Sequence, residues 1–152
     1  MFSEHLTRWI NASVDKHFET KLSGQKLWIA GEILKVRDSQ SHYELRKIGP
    51  DIVPQGKDEY RITLEISLLV SNKMDQANIH KIHTLVGLGQ VAFTDIPVYK
   101  LGDAVYDDQS QIGCLTLRDD VPRPIDTIPW GVTDESTKIE QVGIEGYYEL
   151  FL

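Results

Sequence analysis

The sequence predicts an α+β fold: a mainly antiparallel sheet packed on one face by two helices, in the order α-β-β-β-α-β-β. Three observations predict it. Tyr60, Ile62, Leu64, Ile66, Leu68 and Val70 alternate without a break against Arg61, Thr63, Glu65, Ser67, Leu69 and Ser71. Successive strand side chains point to opposite faces, so one face is apolar and the other is wet, as in an antiparallel sheet covered on one side. Residues 4–20 carry an apolar stripe at helical spacing. Directly after the long strand, Asn72-Lys73-Met74-Asp75 breaks the alternation and a second helical pattern begins.

In the first helix, Leu6, Trp9, Ile10, Val14, His17 and Phe18 share a face, with Arg8, Asn11, Asp15, Lys16 and Glu19 opposite. Ser3 is the expected N-cap, Glu4 suits the positive end of the helix dipole, and Gly24 marks the exit. Leu27, Ile29, Ile33 and Val36 belong to a first strand, with Gly31 a bulge or kink, and Asp38-Ser39-Gln40-Ser41 turns the chain. A second strand runs from His42 to Ile48, with Tyr43 and Leu45 on one face, and Gly49-Pro50 stops it.

Residues 49–57, with two prolines, read as a loop, and the long strand covers 58–71. The second helix is expected over about 75–92, capped by Asp75. Its stripe is Ile79, Ile82, Leu85 or Val86, and Gly89. Gly87 and Gly89 weaken that helix, or let something pack closely against it.

Residues 94–110 look irregular, with Pro97, Gly102 and four acids, and 112–117 is a short strand. Pro122, Pro124 and Pro129 bar 119–134 from a central strand. The last strand, 138–152, has Ile139, Val142, Ile144, Tyr148 and Leu150 as apolar candidates and a bulge expected near Gly143 and Gly146. One domain over 1–152 accommodates all of this, with long loops at about 49–57, 94–110 and 119–134. Loops of that length tend to carry binding or assembly contacts.

A net charge of -7 argues against a general nucleic-acid binder, which needs a basic footprint to displace counterions. The acidity keeps the protein soluble, and beside DNA it would repel. One cysteine, Cys114, allows no internal disulfide; Ile112 and Leu115 beside it suggest a buried strand thiol. Met1 to Ile10 carries Glu4, His5 and Arg8 in place of the apolar core of a secretory leader, and no run approaches the length of a membrane span. The expectation is a protein made and assembled in the cytoplasm.

His80 and His83 sit three apart on the second helix near Asp75, a spacing from which two imidazoles could ligate a metal. The glutamate of a zinc-protease helix and a third ligand are missing, so an ordinary helix surface or a satisfied core histidine is the expectation. Asp103, Asp107 and Asp108 follow Gly102 without the spacing of a calcium loop; a solvated turn comes first, then a polar assembly contact, then an ion site. Gly87-Leu88-Gly89 lies inside a helix and is no dinucleotide fingerprint, and no nucleophile elbow occurs. Trp9 and Trp28 are expected to pack. Trp130, between Pro129 and Gly131, is either an aromatic anchor at an interface or a lid folded over the sheet.

Several stretches together resemble one group. They are Arg8-Trp9-Ile10, Ala12-Ser13-Val14 and Lys16-His17-Phe18; Tyr43-Glu44-Leu45-Arg46 with Gly49-Pro50; and Ile79-His80-Lys81-Ile82-His83 with Leu85-Val86-Gly87. Phe93-Thr94-Asp95-Ile96, Gly102-Asp103, Ile112-Gly113-Cys114-Leu115 and Gly146-Tyr147-Tyr148 complete the set. The chain resembles small structural proteins of tailed bacteriophages, and its succession of elements is similar to the tail-terminator, or tail-completion, family. The matching residues are packing and turn residues with no catalytic signature.

The resemblance implies a virion protein that performs no reaction and needs no cofactor. It would assemble in the host bacterial cytoplasm into a ring, expected as a hexamer, at the head-proximal end of the tail tube. Its partners would be its own copies, the tail tube protein and a neck or connector protein, with no membrane. Genomic DNA would pass through the lumen without specific binding. Within that reading the candidate assembly contacts are Tyr99, Asp103, Asp107, Asp108 and Trp130. A head-closure, connector or tail-tube subunit is the alternative in the same class. A monomeric binding module, and a small metal-dependent enzyme using the helical histidines, are the alternatives in others.

Overall fold

The computed structural model describes residues 2–29, 41–57, 59–73, 81–101, 106–118, 125–132 and 139–152. The elements in chain order are α1 (Phe2–Lys21), β1 (Leu27–Ile29), β2 (His42–Gly56), β3 (Glu59–Lys73), α2 (Lys81–Ala92), β4 (Ile96–Leu101), β5 (Tyr106–Leu117), β6 (Ile125–Val132) and β7 (Ile139–Phe151). The fold is α+β. Its sheet is mixed: β1 pairs β2 in parallel and every other described pair is antiparallel. The strands run β1-β2-β3-β7-β5-β4, and β6 also pairs β7. β5 and β6 lie end to end along one flank of β7, because Thr116 and Leu117 meet Glu149 and Tyr148 while Ile125 meets Gly146.

This order differs from α-β-β-β-α-β-β in having two strands more, and each difference has a physical cause. Residues 49–57 are not a loop. β2 continues through them, because the cis Gly49-Pro50 step sits in a register shift between Ile48 and Asp51. A bulge takes up a residue that cannot donate to the ladder and lets pairing resume. Gly49 has φ of 107°, which only glycine adopts without strain. Residues 94–110 contain β4 and the start of β5, a hairpin in which Pro97 stands second on an edge strand. Residues 119–134 contain β6, again an edge strand, with Pro129 and Trp130 at a register shift. No bulge interrupts β7 against β3: the register runs unbroken from Arg61 and Phe151 to Lys73 and Ile139.

One core joins the layers. Leu6, Trp9, Ile10, Val14 and Phe18 of α1 bury with Ile62, Leu64, Ile66, Leu68 and Val70 of β3, and with Ile144, Tyr148 and Leu150 of β7. The helical and strand periodicities meet there as expected. On α2, Ile82, Leu85, Gly89 and Ala92 are buried. The Tyr43 hydroxyl donates to the Leu85 carbonyl at 2.6 Å, and the Tyr148 hydroxyl to the Thr94 carbonyl at 3.0 Å. The wet face of β3 is wet only in part. Arg61 to Ser67 are half-buried at alternate positions, whereas Leu69 and Ser71 are fully covered.

The expectations at Ile33, Val36, Gly31, Asp75, Ile79 and His80 fall outside the described residues. Cys114 is on a strand as expected but only half-buried; burial pushes its thiol pKa up and Asp95 adds to the shift. Among the described residues, no helix is long and apolar enough to cross a membrane.

Candidate functional site

The register fixes what the outward face of the sheet presents. Where even residues of β3 enter the core, Arg61, Thr63, Glu65 and Ser67 face out, and each brings its cross-strand partners with it. Val53, Arg61 and Phe151 make one row, and Ile48, Glu65 and Tyr147 another. Ile48, Val53 and Phe151 are 63%, 49% and 62% exposed, so three apolar side chains stand in water on one pleated surface. Phe151 is held from beside: the Arg61 guanidinium lies 5.9 Å from its ring centroid and reaches Glu149 Oε2 at 3.4 Å. A cation over an aromatic face is worth about 0.5–1 kcal/mol at such a site.

Acid surrounds these residues. Among the described residues, Glu44, Asp51, Glu65, Asp126, Glu145 and Glu149 share this face with Arg46, Arg61 and Arg118. Burial and the neighbouring Glu145 hold the Glu65 carboxyl above the usual range. Burial, then Glu65 and Glu145, push the Tyr147 phenol up. The bulge at Gly49-Pro50 opens a depression of about 200 Å³ between Ile48, Asp51, Glu65, Arg118 and Tyr147. Its lining mixes the carboxylates of Asp51 and Glu65 and the Tyr147 phenol with the Arg118 guanidinium.

The opposite layer has a second concavity, a cleft of about 290 Å³ between α1 and β4. Lys16, His17, Thr20 and Lys21 line one wall, and Pro97 and Tyr99 the other. The His17 Nε2–H donates to the Ala92 carbonyl at 2.9 Å, tying α1 to the end of α2. Desolvation, with a smaller push from Lys21, lowers the His17 pKa although the Ala92 bond opposes it, so the imidazole is neutral at pH 7.

Of the sequence-predicted contacts, the structure places Tyr99 in this cleft, with its backbone N–H donating to Ser13 Oγ at 3.0 Å. That bond caps the edge of β4 from within the chain. Asp103 lies outside the described residues. Asp107 and Asp108 are on β5, not in a loop, and Trp130 is on β6; their side chains are outside the described residues. His83 is an exposed residue of α2, as an ordinary helix surface requires. Among the described residues, no group of three His, Cys, Asp or Glu could hold a metal ion.

Sequence reasoning missed Ile48, Val53 and Phe151. The signal was phase: Ile48 is out of step with Tyr43 and Leu45, and Phe151 with Tyr148 and Leu150. No family model and no curated protein matches the chain. One solved structure aligns over 92% of this chain and 94% of its own, with a TM-score of 0.48 and 11% identity.

Proposed function

We propose that this protein is a structural, non-enzymatic component of a tailed-phage virion: a tail terminator that assembles as a ring at the head-proximal end of the tail tube. The observation that carries this reading is the outward sheet face, where Ile48, Val53 and Phe151 stand exposed on a surface that rigid strand pairing holds in place. Covering these side chains on one strand-paired surface is the role this reading gives to a neighbouring subunit. The chain-wide likeness of its packing and turn residues to phage tail proteins supplies the kind of assembly. Repetition of one contact around a closing rotation makes a ring. The partners are its own copies, the tube protein below and a neck or connector protein above, and the acidity of the chain suits a lumen through which DNA passes without sticking.

Electron microscopy and sedimentation of the purified protein test this. The expected particle is a single closed ring, hexameric, that does not lengthen as concentration rises. Long cylinders would identify a tube subunit instead, and a particle that stays monomeric alone and with tube protein would overturn the reading.

A further inference from the structure

The two outward surfaces of the chain are opposite in position and in charge. The sheet face described above, with Glu59 in phase with Arg61 on β3, carries seven carboxylates against three guanidiniums among the described residues. On the far side of the core, the exposed charged side chains of α1 and the turn after it, among the described residues, are Arg8, Lys16, Lys21 and Lys26 against Glu19. Asp15 is committed within the chain, to Lys47 on the core-facing side of β2. That pair, and the edge contact of Phe18 with Phe93 at 5.2 Å, fix α1 on the inner side of the sheet, so its lysines point away from the acidic face.

The two surfaces also differ in relief. The acidic face has an apolar relief of Ile48, Val53 and Phe151. The basic face has a cleft walled by Pro97 and Tyr99 with Lys16 and Lys21 on its rim. Complementary potentials select partners and fix their register, and apolar anchors seated in a concavity supply most of the affinity.

We infer that the occupant of the acidic sheet face is a second copy of this chain, presenting the exposed side of α1 and the α1–β4 cleft. The contact is head-to-tail: each copy offers its sheet to one neighbour and its helix to the other. A contact of this kind closes into a ring when its rotation divides a full turn and grows into a filament when it does not. The inference deepens the proposed function and rests on it for closure, but not for the contact itself. Ionic attraction across it is strongest at low salt, since exposed charges are screened within about 10 Å at 0.1 M.

The test compares wild type, Glu145→Lys, Lys21→Glu and the double charge swap by sedimentation equilibrium at low and high salt, with thermal melts to show that each is folded. Each single variant is expected to raise the dissociation constant about tenfold or more, and the swap to return it to within about threefold of wild type. Single variants that assemble like wild type overturn the contact and leave a ring intact. A folded double variant that stays apart overturns the pairing of these two faces. Dimers or open filaments that the single variants break and the swap restores uphold the contact and remove the ring. A wild type that is monomeric at about 100 μM in low salt overturns the contact, whatever it does when tube protein is added. Lys21 is exposed, so its variant decides the matter even where Glu145→Lys melts early.

Discussion

Phe93 occupies the space that a side chain on Gly146 would need. A β-carbon built on Gly146 would stand 2.7 Å from Phe93 Cε1 and 3.2 Å from Tyr148 Cε2. The ring has nowhere to retreat, being 3% exposed and packed edge-on against Phe18. Gly146→Ala is therefore expected to destabilise by about 1–3 kcal/mol, the usual cost of overpacking a filled core. Thermal unfolding checks it: a fall in Tm of roughly 3–10 °C is expected for a domain of this size. A Tm equal to wild type would place Phe93 elsewhere.

The two glycines of α2 separate propensity from packing. A β-carbon on Gly87 meets nothing within 4 Å, so Gly87→Ala gains helix propensity alone and should stabilise by about 0.5–1 kcal/mol. On Gly89 the same atom would stand 2.8 Å from Ile144 Cδ1 and 3.1 Å from Leu68 Cδ2. Those methyls are movable, yet they are buried in the core, so the gain is offset and Gly89→Ala should fall below Gly87→Ala in a denaturant titration. The reverse order would contradict the seating of α2 on β3 and β7.

Elements with an unbroken local period could be read from the chain; those whose identity depends on a distant partner could not. The stripe of Leu6, Ile10, Val14 and Phe18 and the alternation of β3 each have an apolar phase visible within ten residues. Gly49-Pro50 looked like an ending because the chain itself does not show that β3 supplies a ladder on both sides of the bulge. β4 and β6 carry prolines, which mark edge strands as readily as loops, and only their pairing with β5 and β7 decides. Gly146 read as a bulge because the ring above it comes from residue 93. The same gap applied to the site. Tyr99 was legible as a chemistry-bearing residue, but the cleft around it depends on α1, some eighty residues earlier. Ile48 and Phe151 lie inside the strands expected over 42–48 and 138–152, and their phase against Tyr43 and Leu45, and against Tyr148 and Leu150, already puts them on the outer face.

Ile66 tests the depth of the inner face. It is fully buried and pairs with Gly146 directly beneath Phe93. Ile66→Asp would place an unpaired carboxylate there, a cost of about 3–5 kcal/mol, against a total stability of about 5–15 kcal/mol for a domain. Loss of the cooperative melt, or recovery only in the insoluble fraction, is expected. A soluble variant melting like wild type would show that the strand faces are exchanged.

Glu65 sits on the outer face where folding raises its proton affinity, through burial first and Glu145 second. The sign follows from proton counts. Above pH 4.5 the folded chain holds a proton that the unfolded chain has released, so stability falls as pH rises through that window. Glu65→Gln removes the ionised form and is expected to raise Tm at pH 7, more at low salt than at high, with the difference vanishing below about pH 4. If the acidic face binds a second copy's lysines, the same variant weakens assembly while it stabilises the monomer.

His17 carries the opposite linkage. Desolvation lowers its pKa from 6.5 on folding, so between the folded value and 6.5 the unfolded chain binds more protons. This contribution is complete above pH 6.5 and is lost as pH falls through 6.5 toward the folded pKa. Protonation there would also set a second cation beside Lys21 in the α1–β4 cleft. Gln in its place can keep an N–H donor for the Ala92 carbonyl without titrating. Denaturant titrations at pH 7.5 and 5.5 should therefore show a larger loss for wild type than for His17→Gln. Equal losses would mean that the imidazole is as well hydrated in the folded chain as in the unfolded one, and that the contact between α1 and the end of α2 is open to water.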